Sequence, residues 1–389
     1  ATHARIVDIV RRKLRLVGLL RYHVRRRPTA LSAVPRADLL DSARLCLRRH
    51  FGYPDFRPLQ ARVIAAIEAG ADVLAVLPTG AGKSICFQIP ALLRQAPTIV
   101  VSPLISLMQD QVSAAVARGI PAAALNSTLA PSVQQAVLEA FVRRDVRLLY
   151  TSPERLSRLA ADLAERRCRP GLLAVDEAHC ISEWGPDFRP AYRNLRQLRT
   201  ELQWPQVIAL TGSATPSVRR DVTRSLGLGA THPLQEVSGS FDRRNLWFGV
   251  APVRTERERL RALLSALRMQ DTLAIVYAPT RNVVEELARV LGNAGFRVAP
   301  YHAGLTASAR KQALERFLGD DLGIMVATCA FGLGIDKPNV RLVVHWTLPP
   351  TPEAYYQEAG RAGRDGGFAR CLLLYRPGDG DLPSRQLDV

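Results

Sequence analysis

Two glycines, a lysine and a serine close together after an apolar run can hold phosphate, and the stretch Asp72–Pro90, DVLAVLPTGAGKSICFQIP, has that order. The run Val73–Leu77 reads as a strand, the residues after Ser84 as a helix, and Thr79–Ser84 as the loop between them. Such a loop delivers unpaired N–H groups at a helix amino end to an anion. Gly80 and Gly82 let the backbone close on phosphates, Lys83 contributes a compact charge, and the Ser84 hydroxyl can ligate Mg²⁺. Leu77 stands where the pattern GxxxxGK[ST] begins with glycine, so a plain Gly-rich turn is the alternative reading. Lysine occurs only at Lys13, Lys83, Lys311 and Lys337, arginine filling the other cationic positions, which singles Lys83 out.

A second group completes a possible reaction centre. LLAVDEAHC (Leu172–Cys180) is an apolar strand ending in two acids, suited to metal-assisted phosphoryl transfer. Asp176 can hold Mg²⁺, and Glu177 can orient and deprotonate a water. Far downstream, YYQEAGRAGRDG (Tyr355–Gly366) carries Arg361 and Arg364 three apart, on one face or at the end of a helix, where they could steady charge on a transferred phosphoryl group.

These residues need rigid carriers. Strand-like runs at Val73–Leu77, Thr98–Ser102, Val146–Tyr150, Leu172–Val175 and Val207–Leu210 alternate with helical segments. A second alternation has strands at Leu246–Val250, Leu273–Tyr277, Val298–Tyr301, Ile324–Ala327, Leu342–His345 and Cys371–Leu374. Near-continuous apolar strands fit parallel sheets covered on both faces. The polar stretch Val237–Asn245 reads as a linker, giving an extension 1–37, lobes 38–240 and 241–378, and a tail 379–389. The 389 residues are 47% hydrophobic, which excludes a disordered chain, and no run approaches the ~20 residues of a membrane span. A net charge of +18 points to a polyanionic partner. The six cysteines form no CxxC pair, so they read as buried thiols of a reducing compartment rather than a zinc site.

Read together, the motifs resemble those of superfamily 2 helicases, in order over about Phe51–Tyr375. DEAHC looks like a DEAH box, in which His179 would link nucleotide state to lobe motion. CISEWGPDFRPAY (Cys180–Tyr192) strongly resembles the aromatic-rich loop of RecQ-family DNA helicases, with Pro186 at a site commonly His. Trp184, Phe188 and Arg189 would stack on unpaired bases; without the resemblance the two rings read as core. FGYPDFRPLQ (Phe51–Gln60) is similar to the family's adenine motif, implying roles for Tyr53, Arg57 and Gln60. VSPLISLMQDQV (Val101–Val112) and TSPERL (Thr151–Leu156) match loops that touch the DNA backbone, and ALTGSATP (Ala209–Pro216) a coupling motif. VATCAFGLGIDKPNVR (Val326–Arg341) would put Gly334 and Asp336 near nucleotide and Thr328 near DNA, and QxxGRxGR makes Arg364 the finger, supported by Gln357 and Arg361. IVYAPTR (Ile275–Arg281) and YHAGL (Tyr301–Leu305) fit the other second-lobe motifs, with His302 no metal ligand.

The resemblance implies an α/β fold of two tandem RecA-like lobes with mostly parallel sheets. It implies an ATP- and Mg²⁺-dependent 3′→5′ DNA helicase or translocase of repair or recombination, acting on single-stranded and forked DNA in a bacterial-like cytoplasm or nucleoid. An RNA-directed helicase, a nucleic-acid-binding module with a dead nucleotide site and a transporter-type or metabolic P-loop NTPase are the competing readings. Family members commonly continue into a four-cysteine zinc module and a winged helix. Ending at Val389, this chain reads as a catalytic core or a short member, with no zinc expected. Residues 1–37 put Ile6, Val10, Val17, Leu20 and Val24 on one helical face against arginines, and read as a docked or DNA-gripping helix, an artificial extension or a transit peptide.

Overall fold

The computed structural model describes residues 37–379 except 79, 104, 183–190, 193–194, 213, 240–241, 270–272 and 332–336, and the side chains of 37–39, 106 and 307 also lie outside it. All but the last residue of the amino-terminal extension is therefore outside the described residues. The chain divides into two compact units, one running to residue 240 and the other from residue 241.

In the first unit the strands are β1 (Asp72–Val76), β2 (Thr98–Val101), β3 (Ala122–Leu125), β4 (Leu148–Thr151), β5 (Leu172–Val175), β6 (Gln206–Thr211) and β7 (Leu234–Ser238), in the order β3-β4-β2-β5-β6-β1-β7. Every pairing is parallel. β1, β2, β4, β5 and β6 are buried along their whole length, which is why each reads as an unbroken apolar run. The edge strands β3 and β7 escaped the sequence reading for the same reason inverted. AAAL has little β propensity and LQEVS is polar, because an edge strand faces water. β7 also corrects the linker: Val237 and Ser238 pair with β1, so the connection starts after them.

Helices Pro58–Glu68 and Ile85–Leu93 pack on this sheet through Val63, Ile67, Cys86, Phe87 and Ala91, all fully buried. Each large side chain so buried contributes roughly 1.5–3 kcal/mol. At the amino end of β1, Asp72 is sealed from solvent and accepts from Arg199 Nη2 at 2.8 and 2.9 Å. Arg199 also donates to the carbonyls of Pro205, Leu226 and Gly227, while Asp72 accepts from the amides of Val207 and Gly229. Arg199→Leu would strand a buried carboxylate, so a loss of about 3–5 kcal/mol is expected in urea unfolding. An unchanged midpoint would show the pair to be dispensable.

The second unit has β8 (Leu246–Pro252), β9 (Ala274–Tyr277), β10 (Val298–Tyr301), β11 (Ile324–Ala327), β12 (Leu342–His345) and β13 (Ala369–Tyr375), ordered β10-β11-β9-β12-β13-β8 and all parallel. Helix Arg281–Asn293 buries Val284, Leu287, Ala288 and Leu291, the spacing of one helical face. Thr255, Thr280, Thr306 and Thr351 each cap a helix by accepting an amide hydrogen, fixing where loop becomes helix. Asp379 is not part of a loose tail. It is buried and accepts from Arg259 Nη2 at 2.7 and 2.8 Å, so the packed unit runs through it. The thiols differ from expectation too, Cys86, Cys180 and Cys371 being buried and Cys329 exposed. No helix among the described residues is long and apolar enough to cross a membrane.

Candidate active site

In both units the loops that follow the carboxyl ends of parallel strands carry the polar residues, where such sheets place their ligands. In the first unit β1 leads through Leu77, whose amide donates to Thr211 O at 3.0 Å, into the glycine loop. Gly82 has φ +73°, and a Cβ there would lie 2.5 Å from Gln60 Nε2, so only glycine fits. Ser84 takes the N-cap position of helix Ile85–Leu93 without spending its hydroxyl on a cap bond. That hydroxyl and the carboxylates of Asp176 and Glu177 are hard oxygen donors of the kind Mg²⁺ takes.

β5 ends one residue before Asp176 and Glu177. Glu177 adopts φ 48°, ψ 48°, a left-handed conformation costing a non-glycine residue roughly 1–2 kcal/mol. That turn brings Glu177 Oε1 within 3.7 Å of Lys83 Nζ, with both side chains largely buried. Asp176 is buried, its Oδ1 accepting from the Glu177 amide at 3.0 Å and its Oδ2 from Gln111 Nε2 at 2.9 Å. Burial first, and then the Glu177 charge, push the Asp176 carboxyl above the usual range, against the pull of Lys83 and Gln111. A cation shared with a phosphate would relieve that strain. Lys83 and the adjacent acids Asp176 and Glu177, distant from it in the chain, thus share one largely buried cluster.

His179 is buried rather than a surface histidine. Its Nδ1 lies 2.9 Å from Thr211 Oγ1 and 3.4 Å from a Glu177 oxygen, joining the acid pair to the end of β6. Thr211 sits within the ALTGSATP stretch, but nothing in its own sequence context marked it as this partner.

The adenine motif sits against the phosphate loop. Gln60 is buried, donating through Nε2 to Ala81 O (2.8 Å) and Gly82 O (3.2 Å), while Oε1 accepts from the Arg57 amide (3.0 Å). Arg57 Nη1 donates to Gly80 O. The Gln60 Nε2 and part of the Arg57 fork are spent on the phosphate loop, because the helix starting at Pro58 abuts it, while the Gln60 Oε1 caps the start of that helix at the Arg57 amide. Tyr53 is 54% exposed and presents a free ring face.

In the second unit, helix Pro352–Ala359 stops before the arginines, which lie in the turns after its carboxyl end. Gly363, at φ +54°, would place a Cβ 2.5 Å from both Asn245 Nδ2 and Gly367 O, so glycine fixes this turn. Asn245 and Arg243 clamp it by donating to Gly363 O, each at 2.8 Å. Arg361 is only 5% exposed, against the surface arginine that a helix end would suggest. The Tyr277 hydroxyl donates to Phe331 O at 2.7 Å; burial pushes it above its ordinary pKa and the charge of Arg361 pulls it back down. Gln357 and Arg364 are half-buried beside it. Thr328, half-buried just past β11, donates its amide to Tyr301 O at 3.2 Å. His302 Nε2 meets Glu285 Oε1 at 2.7 Å, a local pairing. Thr79, Trp184, Phe188, Arg189, Gly334 and Asp336 lie outside the described residues.

Comparison with known proteins follows the same division. Residues 57–223 match the DEAD/DEAH box helicase model and residues 256–366 the helicase conserved C-terminal domain model. The chain is 43% identical over 329 residues to ATP-dependent DNA helicase RecQ of Pasteurella multocida, covering 85% of this chain and 51% of that protein. It is 40% identical over 345 residues to the probable ATP-dependent DNA helicase RecS of Bacillus subtilis, covering 88% of this chain and 68% of that one. The fold resembles Mycobacterium smegmatis helicase Lhr bound to ssDNA and AMP-PNP, with a TM-score of 0.66 at 22% identity over 88% of this chain and 48% of that chain. The chain spans about half the length of the first RecQ relatives it matches.

Proposed function

Because this chain belongs to the RecQ family of ATP-dependent DNA helicases, we propose that it is a DNA-stimulated ATPase that moves 3′→5′ along single-stranded DNA. The observation that carries the proposal is the buried Lys83–Glu177–Asp176 cluster beside a glycine loop shaped for phosphate. Lys83, freed from Glu177, contacts the outer phosphates, and Glu177 then takes a proton from the attacking water. Ser84 and Asp176 would hold Mg²⁺, which when bound would supply charge neutralisation to the phosphates. Adenine stacks on the exposed Tyr53 ring beside Arg57, and Gln60 reports the occupied base to the loop it grips. Arg364 offers its guanidinium to the reacting phosphoryl group, with Arg361 and Gln357 holding the turn that presents it. Gly334 and Asp336 line the nucleotide, while Trp184, Phe188, Arg189 and Thr328 take the strand and His179 passes its presence to Glu177. Forked duplex is the substrate that such movement would open during repair or recombination, in the cytoplasm or nucleoid.

The test is ATP hydrolysis with matched single-stranded DNA and RNA oligomers. DNA is expected to stimulate more strongly, the effect falling steeply with salt as counterion release requires. Lys83→Ala should remove turnover by about 10²–10³-fold or more. Equal stimulation by RNA favours an RNA-directed enzyme, and undiminished hydrolysis in the lysine variant removes the assignment.

A further inference from the structure

Resting on the nucleotide-site reading above, we infer that Gln111 is a positioning residue that aims the Asp176 carboxylate and thereby sets how tightly Mg²⁺ joins the bound nucleotide. Gln111 lies on helix Ile105–Ala117, on the face that carries Met108 and Ala115, both fully buried. An amide at a core-facing position is costly unless its hydrogen bonds are made. Here Nε2 donates to Asp176 Oδ2 at 2.9 Å, across 65 residues of sequence. Oε1 is also buried, and no donor among the described residues reaches it. The side chain is thus half satisfied, with its open acceptor on the same amide group that grips the acid.

The opposite amide orientation would set the carbonyl oxygen against a carboxylate, so the observed one is fixed by charge. With Oδ1 held by the Glu177 amide and Oδ2 by Gln111, the carboxylate has no rotational freedom left. Removing one of two orienting bonds lets it swing away from the position that a metal bound to Ser84 requires. Outer partners of metal ligands commonly change affinity by about 10–100-fold when lost. The same helix follows the Ser102–Pro103 turn at the end of β2, so a shift of the helix would be felt directly at Asp176.

The experiment titrates MgCl₂ against a fluorescent, slowly hydrolysed ATP analogue bound to the full chain. In Gln111→Met, similar in volume but without donor or acceptor, the Mg²⁺ midpoint is expected to rise about 10-fold or more, while analogue affinity in EDTA stays that of the parent. Gln111→Asn keeps the amide but shortens its reach and should not restore the midpoint. It also serves if the methionine variant fails to fold. A parental midpoint in either variant, or an equal loss of affinity in EDTA, overturns the positioning role. If the parent protein itself binds the analogue without regard to Mg²⁺, the nucleotide-site reading fails and the inference with it. A parental Mg²⁺ response preserved in the variants removes only the role of Gln111.

Discussion

Arg364→Ala is expected to lower DNA-stimulated ATP turnover about 10³–10⁵-fold, the range lost when an arginine finger is missing, with ATP binding little changed. A planar guanidinium can fork onto two phosphoryl oxygens as charge spreads over them in the transition state, and methyl cannot. Arg364→Lys keeps the charge but loses the fork, so it should recover only a minor part. The neighbouring Arg361→Ala makes the informative contrast. Arg361 is 5% exposed and its charge acts on the buried Tyr277 hydroxyl, so its loss should lower the unfolding midpoint as well as turnover. Arg364 is half-buried, and its substitution should leave stability near parental. Turnover of Arg364→Ala within tenfold of the parent would end its assignment as the finger and leave the QxxGRxGR turn a structural feature.

Glu177→Gln should separate binding from chemistry. General-base removal commonly costs about 10²–10⁴-fold, and steady-state hydrolysis is the measurement. Glutamine keeps the volume and the hydrogen-bonding plane but cannot take a proton. ATP affinity should hold or rise, because Glu177 lies 3.7 Å from Lys83 Nζ and competes with phosphate for that ammonium. Loss of the negative charge also relieves the repulsion that raises the Asp176 pKa, and so favours the ionised carboxylate that binds metal. Parallel falls in affinity and turnover would mean that Glu177 builds the site rather than acting in it. The left-handed backbone at Glu177 is kept in this variant, glutamine being no worse there than glutamate.

Much of this was legible in the chain itself. Interior strands of a parallel sheet are apolar on both faces, so β5, β11 and β12 could be read to the residue from their runs. The phosphate loop, the acid pair and the arginine pair are each contiguous in sequence, and local chemistry named them. Edge strands lack that double burial, so β3 and β7 carried no such signal. Asp379 looked like the start of a polar tail because its partner, Arg259, lies 120 residues earlier.

What the fold alone decided were the long-range polar contacts. Ion pairs and hydrogen bonds impose no periodicity, and one satisfactory partner is as good as another until the backbone fixes distances. The meetings of Gln111 with Asp176, His179 with Thr211 and Arg361 with Tyr277 are of this kind. Gln60 is the clearest case. Its type suited a base edge, and the helix carrying it begins so near the glycine loop that its Nε2 is bonded there. Residue type stated which groups could react. Only the packing of strand ends against helix ends determined which of them face one another.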